Sequence, residues 1–244
     1  MHKGLRKRLV TDEAVREVLL VSPHVYFPED SPAQNDLYWD NSSEWAMGDS
    51  SSADAEASLS LFRVLDEMVE AMMNQDSFPK LTSVVLLGHS AGGMSIQRYA
   101  LASALEARHG VTISYFVANP GSVAYPRSVR PNLVDRGGPC DTATLLAHKW
   151  TFAVPGHVDG CAFHEHYDDW PDGLGTHRQD TPTYILARPA EEMRLAYLER
   201  NVTYLSGSED VCPCIESFDG TNCSTGRDCH IQGSCHMEVA HAFV

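Results

Sequence analysis

Apolar residues along the chain fall into two kinds of spacing, and the alternation between them predicts the fold class. Val18-Leu19-Leu20-Val21 is a short run of β-branched and leucine side chains stopped by Ser22-Pro23, the pattern of a strand buried on both faces. A polar loop follows to about residue 55. Then Leu61, Phe62, Leu65, Met68, Val69 and Met72 recur at helical spacing with Asp66, Glu67 and Glu70 between them, which predicts an amphipathic helix laid on a sheet. Beyond the Phe78-Pro79 break, Val84-Val85-Leu86-Leu87 is a second apolar run that enters a turn at Gly88, and Ile96, Ala100 and Ala104 mark the helix after it. Ile113 to Ala118 predicts a third strand, Glu191 to Glu199 a helix, and Val202 to Leu205 a fourth strand. Strands alternating with helices predict an α/β fold: a mostly parallel sheet with helices on both faces.

Residues 119–190, between the third and fourth strands, are rich in Pro, Gly, His and Trp and carry little periodicity. They are expected to form a cap-like insertion, in which Trp150, Phe152, Tyr167 and Trp170 either line an apolar pocket or pack as core. His164 and His166 are expected to line that pocket or lie at the surface. Residues 206–235 form a Cys-rich loop, and a final helix is expected to start near Gln232.

Composition narrows the function classes. With 244 residues, 43% of them hydrophobic, the chain suits one domain spanning 1–244. The formal net charge of -15, from 33 acidic against 18 basic residues, disfavours a long contact with a phosphate backbone, so nucleic acid is excluded as a partner. The acidic run between Glu17 and Pro79, in which Arg63 is the only basic side chain, reads as a solvated face. Lys3, Arg6, Lys7 and Arg8 are not followed by an apolar stretch of signal or membrane length, so neither an export signal nor a membrane span is expected. Cys212, Cys214, Cys223, Cys229 and Cys235 crowd into one segment, apart from Cys140 and Cys161. That crowding points to disulfides and a secreted or otherwise oxidising location, where the sequons at Asn41, Asn201 and Asn222 would matter. Cys212-Pro213-Cys214 lacks the two-residue spacer of zinc knuckles, and no metal is expected.

The candidate chemistry lies in Gly88-His89-Ser90-Ala91-Gly92. A serine hydroxyl is a weak nucleophile, useful when a sharp turn presents it beside a base. Small residues at Gly88 and Gly92 are expected to let strand and helix approach closely enough to hold Ser90 in a strained conformation. The Ala91 N–H, at the start of the helix, would then face the developing oxyanion. An apolar strand before the pentapeptide and an Ala-rich helix after it are the context this motif requires. For the acid that orients a base, the third strand ends in Asn119, which carries no charge. The fourth ends in Ser206-Gly207-Ser208-Glu209-Asp210, where chain order serine, acid, histidine favours Asp210, with Glu209 as second choice. The base is expected beyond Val244, and His236 and His241, both in the final helix, are the candidates within the chain.

These residues resemble the α/β-hydrolase superfamily, in particular an esterase-like branch of microbes and plants. The resemblance runs from Val18 to about Val244. It rests on Val21-Ser22-Pro23-His24, Leu37-Tyr38-Trp39, Trp45, Gly48-Asp49-Ser50, Phe78-Pro79 and Gly88 to Gly93 running into Gln97-Arg98-Tyr99-Ala100. Asn119-Pro120, Trp170, Gly173-Leu174, Tyr204 to Gly207 and Asp210 are similar to later landmarks. It implies an α/β-hydrolase fold, Ser90 as nucleophile and Asp210 as triad acid, with Val18 to Val21 as the strand before the nucleophile's. His24 and His89 are then expected in the pocket. Members of the superfamily also carry earlier strands with a His-Gly oxyanion turn, and a last strand with a Gly-His turn bearing the base. By that comparison the chain looks truncated at both ends and weakly active, since one oxyanion donor alone is worth about 2.7–4 kcal/mol.

The function expected is a serine hydrolase that cleaves small-molecule carboxylic esters through an acyl-enzyme, with no cofactor. The alternatives are a non-catalytic binding protein that keeps the hydrolase pocket, and a disulfide-stapled extracellular module. The sequence leaves the acyl and alcohol groups and the oligomeric state open.

Overall fold

A computed structural model describes residues 18–41, 44–52, 58–133, 150–154, 166–176 and 179–205. After a 3-10 turn at Pro28–Asp30 the elements are α1 (Glu44–Met47), α2 (Leu61–Met72), β1 (Ser83–His89), α3 (Ala91–Ala102), β2 (Thr112–Ala118), β3 (Arg130–Leu133), β4 (Trp150–Ala153), α4 (Thr183–Leu186), α5 (Ala190–Glu199) and β5 (Asn201–Leu205). The fold class is α/β. Three parallel strands in the order β1-β2-β5 form the main sheet, and β3 pairs with β4 in an antiparallel ribbon.

Ser60 starts α2, accepting from the Phe62 N–H at 3.1 Å while donating to the Gly48 carbonyl at 2.7 Å. The expected apolar stripe is the buried one, with Leu61, Phe62, Leu65 and Val69 inside. Asp66 lies on the same face. Its carboxyl group is bonded by Tyr99 Oη at 2.8 Å, Ser103 Oγ at 2.9 Å and Tyr184 Oη at 2.7 Å, so one buried side chain ties α2, the end of α3 and α4 together.

Helix α3 packs on β1, β2, α1 and α5, and every residue from Ser95 to Ala102 is buried. Ser95 Oγ is buried there without a hydrogen-bond partner among the described residues, whereas the two larger polar side chains are satisfied. Gln97 pairs with the Ala124 backbone, at 2.9 Å to its carbonyl and 2.8 Å from its N–H. Arg98, wholly buried, donates to Pro171 O at 3.0 Å, Ser122 O at 3.2 Å and Ser122 Oγ at 2.9 Å. Burial pushes the Arg98 guanidinium down to about 10 against the pull of Asp172, which leaves it charged at neutral pH. At the other end of α3, Arg188 donates to the Ala102 and Ser103 carbonyls and Arg200 to those of Ala100, Ser103 and Leu105. Two cations thus meet the negative end of the helix.

Two expectations need correction. Val18 to Val21 is not a strand: it joins no ladder, and its side chains are 37–64% exposed. Apolar composition made the run a strand candidate, but a strand needs a neighbour, and among the described residues β1 ends the sheet on its outer side. Nor are both faces of the sheet covered by the described residues. Val84 and Leu86 face α3, whereas Val85 and Leu87, on the opposite face, are 56% and 51% exposed. Of the two readings open for Trp170, pocket lining or core packing, the structure shows core packing. It is 2% exposed, meets Phe62 edge-on at 6.4 Å and donates to the Met47 carbonyl at 2.8 Å, in one cluster with Leu174 and Ile185.

Candidate active site

The strand-turn-helix passage at Ser90 has a specific backbone. β1 ends at His89, α3 begins at Ala91, and Ser90 between them sits at φ 57°, ψ -121°. That region is costly for a residue with a Cβ. Two hydrogen bonds hold it there: the Ser90 N–H donates to Ala118 O at 3.0 Å, extending the β1–β2 ladder, and its carbonyl accepts from the Met94 N–H at 2.9 Å, opening the helix. The Ser90 side chain is exposed and makes no capping bond to the helix. Among the described residues no hydrogen bond engages its hydroxyl.

Glycines make the crossing tight enough. A Cβ placed on Gly88 would lie 2.0 Å from Gly92 O, and one on Gly93 would lie 2.7 Å from Ala118 O. A Cβ on Gly92 would meet nothing within 4 Å. The close approach expected of Gly88 and Gly92 thus belongs to Gly88 and Gly93. Gly92 contributes the backbone that Gly88 must clear.

Ala91 is the first helical residue, where the leading N–H groups have no carbonyl partner within the helix. This is the position expected of an oxyanion donor. His89 is exposed at the end of β1, directly before Ser90. His24 is exposed too and stacks on Tyr26 at 4.3 Å, and among the described residues no hydrogen bond or ring contact joins it to Ser90 or His89. Asp210, Glu209, His236, His241, His164 and all seven cysteines lie outside the described residues. The disulfide and histidine expectations rest with them.

One His-carboxylate pair went unread in the sequence. His166 Nδ1 lies 2.6 Å from Asp169 Oδ2, with Asp169 buried and His166 part-exposed. The spacing His166-x-x-Asp169 was its only signal. Nearby, Arg130 donates to Asp168 Oδ1 at 3.0 Å and lies 4.3 Å from the centre of the Tyr125 ring. An open cleft of about 380 Å³ beside Trp170 and Pro171 is walled by Glu44, Met47, Asp49 and Asp180, and no residue of the Ser90 turn lines it. Among the described residues no three His, Cys, Asp or Glu side chains gather as metal ligands, and no helix is long and apolar enough to cross a membrane.

No protein-family model, curated protein or solved structure matches this chain.

Proposed function

We propose that the protein is a serine hydrolase of the α/β-hydrolase type, acting on carboxylic esters through an acyl-enzyme. One observation carries the reading: an exposed serine held at positive φ between a parallel strand and a helix, with its hydroxyl left out of the helix cap. Strain of this kind is retained where the surroundings impose it, and the Gly88 and Gly93 contacts do so here.

Sheet topology lends further support. In a parallel sheet all strands end at one edge, and the register puts His89, Ala118 and Leu205 abreast. Strands lie about 4.8 Å apart, so Leu205 stands about 10 Å from the Ser90 turn. Asp210 follows five residues later, within a reach of about 17 Å. In the proposed reaction Ser90 Oγ attacks the ester carbonyl carbon while a histidine, His236, His241 or one beyond Val244, takes its proton. Asp210 holds that imidazole, and the Ala91 N–H binds the oxyanion. Collapse expels the alcohol, protonated by the same histidine, and water then releases the acid. The substrate is a small-molecule ester and no cofactor takes part.

The test is labelling of the full chain by a fluorophosphonate. Wild type is expected to become covalently labelled and Ser90→Ala to stay unlabelled. Equal labelling of the two removes the reading.

A further inference from the structure

Val85 and Leu87 belong to one whole face of the main sheet. In its register Val85 stands beside Ser114 and Asn201, Leu87 beside Phe116 and Thr203, and His89 beside Ala118 and Leu205. Asn201 Nδ2 donates to Ser114 Oγ at 2.9 Å, as side chains in register on one side can. Helix α3 packs on β1 and β2 from the other side, where Leu86, Tyr115 and Val117 are buried. On the Val85 side, Val85 is 56% exposed, Leu87 51% and Leu205 45%. Parallel sheets are characteristically covered on both faces, so a bare face of this kind calls for an occupant.

Charge and shape bear on what that occupant is. The face is made of Ser83, Val85, Leu87 and His89 with their register partners, and none of these positions is Asp, Glu, Lys or Arg, although 21% of the chain is charged. Two copies that each carry a formal charge of -15 repel one another, and this face lets them meet without bringing like charges together. Ser114 and Asn201 already bond to each other, which lowers the cost of covering them. A sheet face is also a natural match for itself: twisted sheets stack about 10 Å apart with strands nearly aligned, and one patch can pair with its copy about a two-fold axis.

We propose that the face of Val85, Leu87 and Phe116 is the contact of a two-fold dimer, with a second copy of this chain seated on it sheet to sheet. Three strands about 4.8 Å apart, with residues rising about 3.3 Å each, give a footprint of about 300 Å² on each copy. The two together fall short of the ~1,200 Å² of a tight complex, so the dimer is weak and follows concentration. Ser90 lies beyond the strand ends, and the dimer does not depend on its chemistry.

Sedimentation equilibrium of the full chain, in reductant so that thiols form no cross-links, tests the contact. The average mass is expected to rise from 26.9 kDa towards twice that value with concentration, with half association at roughly 100 µM. Added salt is expected to strengthen association by screening the net charge. Leu87→Asp is expected to weaken association at least about tenfold by placing two carboxylates in the contact. Should that variant fail to fold, Leu87→Ser takes its place with the same expected direction. Leu198→Asp, on the exposed side of α5, is expected to associate like wild type. A wild type that stays monomeric throughout, association that weakens with salt, a Leu87 variant that associates as wild type does, or a Leu198→Asp that dissociates overturns the dimer.

Discussion

A serine at φ 57° and ψ -121° is held against its own preference, which makes the cost of display measurable. Glycine has no Cβ to clash there, so Ser90→Gly is expected to raise the unfolding free energy by about 1 kcal/mol while abolishing fluorophosphonate labelling. Urea unfolding beside the labelling assay checks both halves. A variant that loses stability shows that the hydroxyl holds the turn together instead of being displayed by it. The turn was legible in the pentapeptide because strain, glycine and helix start are local matters. Which glycine lies under the contact was not, because Ala118 O, the atom above Gly93, comes from another strand.

Among the elements, β1 divides the sheet into two unequal faces. Leu86, 8% exposed, lies in the cluster with Tyr99, Tyr115 and Phe62, whereas Leu87 is 51% exposed. Leu86→Ser is expected to cost about 3 kcal/mol or more, and Leu87→Ser less than about 1 kcal/mol. Denaturant midpoints for the two variants test the assignment of faces, and equal costs would refute it. Periodicity located these elements well. Expected strands at Ile113 to Ala118 and Val202 to Leu205 are observed as Thr112–Ala118 and Asn201–Leu205, and the expected helix from Glu191 is Ala190–Glu199. Helix α3 stops at Ala102, short of the apolar pattern's Ala104, because Ser103 turns extended there. Composition misled at Val18 to Val21, where local sequence makes a strand candidate but cannot supply a ladder partner. The β3–β4 ribbon escaped notice because its pairing joins stretches nearly twenty residues apart that show no alternation.

At the scale of the whole molecule, the interior is rich in tyrosine hydroxyls, and this sets an alkaline limit on stability. Burial raises Tyr99 and Tyr184, with Asp66 adding to the rise in both. Burial also raises Tyr115, Tyr197 and Tyr204. The folded state therefore keeps protons that the unfolded chain releases near pH ~10. Stability from this source is complete below pH ~10 and is lost as pH rises through the raised folded values. Tyrosinate absorbance at 295 nm is expected to appear in two stages, exposed rings first and buried ones together with loss of ellipticity. A single smooth titration with ellipticity retained would contradict the buried assignments.

The enclosure of α3 has a consequence for how the chain tolerates change. Ser90 stands at the tip of a shaft buried from Ser95 to Ala102, with Gln97, Arg98 and Tyr99 bolted to three different stretches of chain. Anchored so, the tip inherits the rigidity of the deepest part of the molecule. A substitution between Ser95 and Ala102 therefore disturbs the fold and the placing of Ser90 together.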